Sequence, residues 1–318
     1  MRENNLSKIL FVFFKIIIIA IALFYIYFKL KNSNLYDIID AFKELSPTKY
    51  ILFVLLFLLM FANWFIESVK WRFLVSKAQK IKITTSLKAV LAGLTVSVFT
   101  PNRVGEYFGR IFVLHKKKRI NGIMATIVGS YSQVLITFII GSVALVTIIN
   151  FNDIHNRIIS KAILSVIIIA INVILIFFYF RIKLIYNFLK KFRFIRKNKH
   201  KINLLKKYQF KELIKVFYFS FFRYVIFINQ FFILLYIFNV NIRYDEAIFS
   251  IALTYFISAI IPSFMLSDLG IKTSASIYFI SMFSDNISGV FAATLFLWII
   301  NIAIPSIIGS FYLAKQKI

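Results

Sequence analysis

The chain has 318 residues, 60% of them hydrophobic, and a mean hydropathy of +0.83. Several apolar runs reach about 20 residues, the length needed to cross the hydrocarbon core of a bilayer. This composition excludes a soluble globular protein, and a sequence without cysteine has no disulfides or thiolate metal sites. The formal net charge is +27, and the basic residues concentrate at 70–88, 103–119 and 181–215.

Six full membrane spans are predicted, beginning with the apolar run at 9–28. That run is too long for a signal peptide and lacks a small-residue cleavage site, so we expect a retained span in which Lys15 reaches the interface. The other spans are expected at 50–69, 121–149, 161–180, 214–238 and 288–313. The predicted fold class is all-α, a polytopic membrane bundle forming one domain over residues 1–318.

The basic clusters predict the orientation of the bundle. Because basic loops stay on the cytoplasmic side, we expect the loop at 181–213 and both termini to be cytoplasmic. There the basic residues can also bind anionic lipid head groups, at about 1 kcal/mol each. An AT-rich genome also favours lysine together with Ile, Asn and Phe, but it accounts for the number of basic residues and not for their placement.

The segment LTVSVFTPNRVGEYFGRIFVLHKKKR, residues 94–119, places charges inside an apolar region. If residues 87–101 crossed the membrane, the flanking basic clusters would lie on opposite faces, and the apolar run 89–99 is too short to cross. We therefore expect a re-entrant hairpin that enters from the cytoplasm, turns at Thr100, Pro101 and Asn102, and returns as a half-helix. Thr100 suits the N-cap and Pro101 the first helical position, and such a helix start attracts anions.

On the returning half-helix, Arg103, Glu106 and Arg110 fall at i, i+3 and i+7 and so share one face. Glu106 precedes Arg110 by four residues, the spacing of an ion pair. Gly105 and Gly109 would allow another helix to approach closely. The alternative is that 103–119 is a basic cytoplasmic loop with a self-paired acid.

A similar layout occurs in AIIPSFMLSDLGIKTSA, where Pro262 follows the apolar run 247–261 and precedes Asp268, Gly270 and Lys272. Two interrupted segments in corresponding halves are typical of transporters built from inverted repeats. We expect repeat-like halves at about 50–150 and 214–313, and a second re-entrant hairpin that enters from the outer face. The turns of the two hairpins would meet near the middle of the membrane.

Other polar residues fall within the predicted spans. Arg223 and Gln230 share a helical face, as do Asn63 and Glu67, with Lys70 and Arg72 at the exit of that span. We expect a functional role for Arg223, although it could also extend to the interface. For Glu67, Gln133 and Gln230 we favour local or interhelical bonding. The histidines lie near polar or charged loops, so no metal site or cofactor is expected.

The motif FTPNRVGEYFGR, preceded by NWFIESVKWRFL and followed later by IPSFMLSDLGIK, resembles the membrane region of the lysylphosphatidylglycerol synthase family. The resemblance covers nearly the whole chain and implies a flippase-like domain of the bacterial inner membrane that moves lipids or polar-headed lipid derivatives between leaflets. The residues that match the two motifs are Pro101, Gly105, Glu106 and Arg110, then Pro262, Gly270 and Lys272. Thr273 stands where the second motif often has an acid, which Asp268 could replace.

These features predict a transporter of a phospholipid or a lipid-linked substrate, with no nucleic acid as a partner and an undefined oligomeric state. The substrate-binding residues would be Arg103, Glu106, Arg110, Arg223, Asp268 and Lys272. No GxxxxGK[ST] loop occurs, so movement would be downhill or coupled to protons or potential. The soluble aminoacyl-transfer domain of the full synthases is expected to be absent. The alternatives are an enzyme of lipid-linked group transfer using Glu106 and Asp268, and a noncatalytic membrane partner that docks through its basic loop.

Overall fold

A computed structural model describes residues 24, 27–28, 46–151, 158–191, 199–263 and 265–314, and these form helices joined by short turns. The expected span at 9–28 lies almost entirely outside the described residues. Five described segments are long and apolar enough to cross a membrane. They correspond to the other five predicted spans.

The first half of the described chain contains α1 (Pro47–Val75), α2 (Ile83–Val98), the short α3 (Gly105–Gly109) and α4 (Arg119–Phe151). The helix α1 exceeds its predicted span at both ends. Its start is fixed by Ser46, the N-cap, whose hydroxyl accepts from the Lys49 N–H, and by Pro47 in the first turn. Short 3₁₀ turns at Pro101–Arg103, Arg110–Val113 and Lys116–Lys118 flank α3.

The central part contains α5 (Ile158–Phe180) and the short α6 (Ile182–Leu189), and a 3₁₀ segment follows at Lys199–Lys207. The helix α5 packs on the outside of α4, where the Tyr131 hydroxyl donates to the Leu175 carbonyl at 2.7 Å. Many of its apolar side chains, such as Val166 and Val173, are exposed and would face lipid.

The second half contains α7 (Phe210–Ile237), α8 (Tyr244–Ile260), α9 (Met265–Ile280), α10 (Ile287–Trp298) and α11 (Ile304–Ala314). A π-helical turn at Ile299–Ala303 joins α10 to α11. Pro305 explains this wider turn, because proline has no N–H with which to continue the α-helical hydrogen bonds. The predicted span at 288–313 is therefore one apolar segment with a local irregularity.

Hydrogen bonds identify the two ends of the bundle. At one end, which we call the basic end, Lys77 pairs with Glu212 at 2.6 Å and the His115 N–H donates to Gln79 at 3.1 Å. The hydroxyl of Tyr208 donates to the Leu74 carbonyl at 2.8 Å, and burial raises its pKa. At the other end, the Lys49 ammonium donates to the Asn239 side chain at 2.6 Å. Residues from all three predicted basic clusters, 70–88, 103–119 and 181–215, therefore lie at the basic end.

Two helical hairpins approach each other from these opposite ends. Hairpin 1 comprises residues 83–113, and its arms α2 and α3 lie so close that a Cβ on Gly109 would be 2.6 Å from the Gly93 Cα. Hairpin 2 comprises residues 244–280, with Pro262 in the break between α8 and α9, and the Ser250 hydroxyl donates across it to the Phe279 carbonyl at 3.3 Å. The C-terminal helix α11 packs along α2, where the Thr95 hydroxyl donates to the Ser306 carbonyl at 2.7 Å.

Candidate functional site

The centre of the candidate site is Glu67, a carboxylate that is 3% exposed within α1. Its Oε2 pairs with the Lys70 ammonium at 2.7 Å and with the Arg223 guanidinium of α7. Its Oε1 pairs with the Arg110 guanidinium of hairpin 1 at 2.8 Å. The predicted local pairing with Lys70 therefore forms, but Glu67 also joins three separate segments of the chain.

Arg110 connects hairpin 1 to this centre. It is 2% exposed and pairs through Nη2 with Glu106, four residues earlier, as the spacing predicts. Its Nε is buried without a hydrogen-bond partner among the described residues. Since Arg110 is buried and bonded to α1, the alternative of a simple basic loop does not describe this part of 103–119.

Arg223 lies near the middle of α7 and is held on several sides. Its Nε donates to Asn63 at 2.7 Å, and Nη1 also donates to Gln133 at 3.4 Å. Its guanidinium carbon lies 5.5 Å from the Trp64 ring centroid and 5.7 Å from that of Phe227, distances suited to cation–π attraction. Arg223 is thus bonded within the bundle and does not extend to the interface.

Lys70 belongs to the site, although it is not among the predicted site residues. Its predicted position is the exit of a span, and in the structure it is 1% exposed, with an ammonium that also donates to the Gly129 carbonyl and the Ser220 hydroxyl, each at 3.3 Å. The available signal was its position one helical turn after Glu67, on a helix that extends beyond the predicted span. Arg72, by contrast, is exposed.

These five side chains, Glu67, Lys70, Glu106, Arg110 and Arg223, form what we call the charge cluster. Three are basic and two acidic, so the formal net charge is +1. An excess positive charge among apolar helices is unfavourable unless an anion or a solvated cavity compensates it. The cluster can therefore attract one monovalent anionic group.

The tip of hairpin 1 differs from the prediction in two respects. The returning α-helix begins at Gly105 and not at Pro101, because Asn102 and Arg103 adopt left-handed backbone angles, with φ of 50° and 58°. Arg103 is consequently exposed and does not share a continuous helical face with Glu106 and Arg110. The N-cap position of α3 is Val104 and not Thr100, but the Thr100 hydroxyl accepts a hydrogen bond from the Gly105 N–H at 2.7 Å.

The expectation that the start of this returning helix attracts an anion stays a prediction, and the length of the helix gives it little support. The helix α3 spans only five residues, so its aligned peptide dipoles are few. The positive charge of hairpin 1 instead comes from its arginines.

Hairpin 2 carries its own charged pair. Lys272 bonds Asp268 at 2.6 Å, one helical turn apart on α9, and both side chains are partly buried. Thr273, at the position where the motif often has an acid, is buried. The carboxylate that bonds Lys272, the basic residue of the motif, is Asp268. Gly270 lies between the two on the same helix.

The hairpin tips touch each other. The backbone N–H of Asn102 donates to the backbone carbonyl of Ser263 at 2.8 Å, next to Pro262. The structure therefore brings Arg110, Glu106, Arg223, Glu67, Asn63 and Gln133 into one network, while Asp268 and Lys272 pair separately. Gln230 lies away from the network and donates to the Leu56 carbonyl at 3.1 Å, the interhelical role expected for it.

Comparison with known proteins identifies the family of the chain. No curated protein sequence matches the chain. The sequence profile of one family, described as the lysylphosphatidylglycerol synthase TM region, matches residues 12–309 and so covers most of the chain. The protein therefore belongs to the lysylphosphatidylglycerol synthase TM region family.

Proposed function

We propose that the chain moves an anionic or polar-headed lipid between the two leaflets, through a site where hairpin 1 and hairpin 2 meet. The observation that carries this proposal is the charge cluster, of whose five side chains all but Glu106 are buried among apolar helices, and which has one more basic than acidic side chain. Ionisable residues inside membrane domains are costly and usually mark a substrate or ion pathway. One lipid phosphate would compensate the excess charge.

The hairpin arrangement supports an alternating-access mechanism. Hairpin 1 is anchored to α1 and α7 through Arg110 and Glu67, whereas its tip meets hairpin 2 through the hydrogen bond between Asn102 and Ser263. A shift of one hairpin against the other would expose the site first to one leaflet and then to the other. In this mechanism Arg103, Arg110, Arg223 and Lys272 attract the phosphate, and Glu106 and Asp268 set the local charge.

The proposal is tested by leaflet exchange of a fluorescent phospholipid in liposomes that contain the purified protein. We expect the wild type to accelerate exchange and Arg103→Ala or Glu106→Gln to abolish the acceleration. Arg243→Ala is the matched control, because this side chain is 74% exposed at the end opposite the basic end. Equal exchange in wild type and both site variants would reject the proposed site.

We also propose that the protein lies in a bacterial inner membrane with both termini cytoplasmic. The contacts at the basic end support this orientation, and Lys88 lies 5.6 Å from the Tyr312 ring, so α11 ends near the start of α2 at that same end. Labelling of single cysteines from either side would test the orientation. Lys183→Cys should react only from the cytoplasm, and Asp245→Cys only from the outside.

The basic end is further proposed to bind anionic lipid head groups. Ile182 and Tyr186 bury one side of α6, while Lys183, Lys190 and Lys191 are exposed. Basic residues next to a membrane surface attract anionic lipids. Replacing these three lysines with glutamate should lower the amount of anionic lipid that copurifies, and an unchanged amount would reject this contact.

A lipid-linked group-transfer enzyme using Glu106 and Asp268 remains the second candidate. We favour transport because each carboxylate is already paired with the basic residue four positions later, which does not suit a free acid and base. Product formation from a candidate donor lipid would favour the enzyme. If the chain were instead a noncatalytic partner, shortening the loop at 181–213 would abolish function while hairpin variants stayed active.

A further inference from the structure

Arg103 is unlike the other arginines near the candidate site. Arg110 and Arg223 are buried and paired with Glu67, whereas Arg103 is exposed at the tip of hairpin 1. Within the described residues, no acidic side chain forms an ion pair with Arg103. Its charge is therefore accessible to a ligand from outside the bundle.

The length of the helices places this arginine at middle depth. The helix α2 has 16 residues and α8 has 17, so each extends about 25 Å from its own end of the bundle to the tips. The helix α4, with 33 residues, is about 50 Å long. Since the tips of the two hairpins touch, Arg103 lies about halfway along the bundle. In the proposed membrane orientation this depth falls within a hydrocarbon layer about 30 Å thick.

Apolar side chains surround the tip and point outward. Phe99 is 81% exposed and Phe108 is 52% exposed, and Ile260, at the end of α8, is 50% exposed. A side chain inside a closed cavity would lose most of its exposed area, so Phe99 does not line a closed cavity. In the proposed membrane orientation, apolar side chains exposed at this depth would meet acyl chains.

The backbone keeps Arg103 in this position at an energetic cost. Asn102 and Arg103 are consecutive left-handed residues without being glycine, a conformation that is unfavourable for L-amino acids. The hydrogen bond from Asn102 to Ser263 holds the strained tip against hairpin 2. Strained residues of this kind cluster at ligand-binding and switch sites.

We infer that the junction of the hairpin tips is a lateral opening where Arg103 binds the phosphate of an anionic phospholipid while Phe99 and Phe108 contact its acyl chains. This inference rests on the proposed function and adds an order to its contacts. Arg110 and Arg223 are buried and paired with Glu67, so they can attract the phosphate only after it has passed the hairpin tips. Arg103 makes the first contact with the lipid.

The test is photocrosslinking in membranes with phosphatidylglycerol that carries a diazirine in an acyl chain, and adducts are mapped by mass spectrometry. We expect adducts within residues 99–108, and at least about a tenfold loss in Arg103→Ala, since a charge-assisted hydrogen bond to phosphate disappears. Arg103→Lys should retain most of the yield because the positive charge remains. A diazirine diacylglycerol, which has no phosphate, should label the same residues equally in wild type and Arg103→Ala.

Equal phosphatidylglycerol adducts in wild type and Arg103→Ala, or adducts only outside 99–108, would overturn the inference. Displacement by excess inorganic phosphate would also overturn it, since the site would then bind the free anion and not a lipid. Leaflet exchange of the same variants separates the two proposals. Crosslinking that depends on Arg103 without any exchange would support the opening and reject transport, whereas exchange with crosslinking independent of Arg103 would do the reverse.

Discussion

Hairpin 1 and hairpin 2 carry the same local pair, an acid followed four residues later by a base, but use it differently. In hairpin 2, Lys272 bonds Asp268 within α9, and these side chains are 23% and 13% exposed. In hairpin 1, Arg110 bonds Glu106 and also Glu67, a residue 43 positions earlier, and its side chain is 3% exposed. A local pair alone thus does not create a buried charge centre, which needs a third group from another helix.

The largest expected difference is in the loss of unfolding free energy when the carboxylate paired with each hairpin's basic residue is replaced by an amide. Glu67→Gln leaves three buried basic side chains with only Glu106, and breaking buried ion pairs costs about 3–5 kcal/mol. Asp268→Asn should cost less, because it leaves one basic side chain without its partner and not three. The free energy of unfolding in detergent measures both changes. Similar costs for the two substitutions would contradict the assigned roles.

Coupling within each pair gives a finer test of the same contrast. A double-mutant cycle of Glu67→Gln with Arg110→Met should give a coupling energy of more than about 1 kcal/mol, because the two groups are in direct buried contact. The cycle of Asp268→Asn with Lys272→Met should give less than about 0.5 kcal/mol. If hairpin 2 showed the stronger coupling, the assignment of the buried centre to hairpin 1 would be wrong.

Close contact between the arms of hairpin 1 predicts a smaller effect. In Gly109→Ala the new methyl would overlap the Gly93 backbone, so we expect a loss of about 1–3 kcal/mol in unfolding free energy. Gly129→Ala on α4 is the matched control, because its methyl would meet only the side-chain ends of Leu74 and Lys70, at 3.2 and 3.5 Å. The control should change stability by less than about 1 kcal/mol. Equal losses of unfolding free energy in the two variants would show that the arms of hairpin 1 are not packed unusually closely.

The smallest expected effect concerns the strained tip. Asn102→Gly should leave stability within about 1 kcal/mol of the wild type, since glycine adopts the left-handed conformation without a steric penalty. Asn102→Ala should be less stable than Asn102→Gly by about 1 kcal/mol, because alanine pays that penalty. An alanine variant as stable as the glycine variant would mean that residue 102 is not held at positive φ.

Much of this architecture could be predicted from the sequence because membrane spans depend on local composition. Apolar runs of about 20 residues located the long helices, and Pro101 and Pro262 located the breaks of the two hairpins. The Glu106–Arg110 pair also followed from local spacing, as helical neighbours at i and i+4 always lie close together.

The partners of the charge cluster could not be predicted in the same way. Arg223 is separated from Glu67 by 156 residues, and their contact depends on how α1 and α7 pack. The sequence indicates an interfacial position for Lys70, because each predicted span ends where charged residues begin. In the structure, neighbouring helices bury this side chain. The left-handed tip was missed for a different reason: asparagine after proline indicates a turn, but the sequence does not fix where the next helix begins.

The most direct test of the central claim, that the two hairpins meet tip to tip, is disulfide crosslinking of Asn102→Cys with Ser263→Cys in native membranes. The chain has no cysteine of its own, and residues joined by a backbone hydrogen bond lie within the range of Cα distances that a disulfide can bridge. Rapid crosslinking of this pair is expected on oxidation, and little for Asn102→Cys with Ser281→Cys, since residue 281 directly follows α9, at the end of that helix opposite the tip of hairpin 2. Crosslinking of 102 to 263 no faster than that of 102 to 281 would contradict a junction of the hairpin tips.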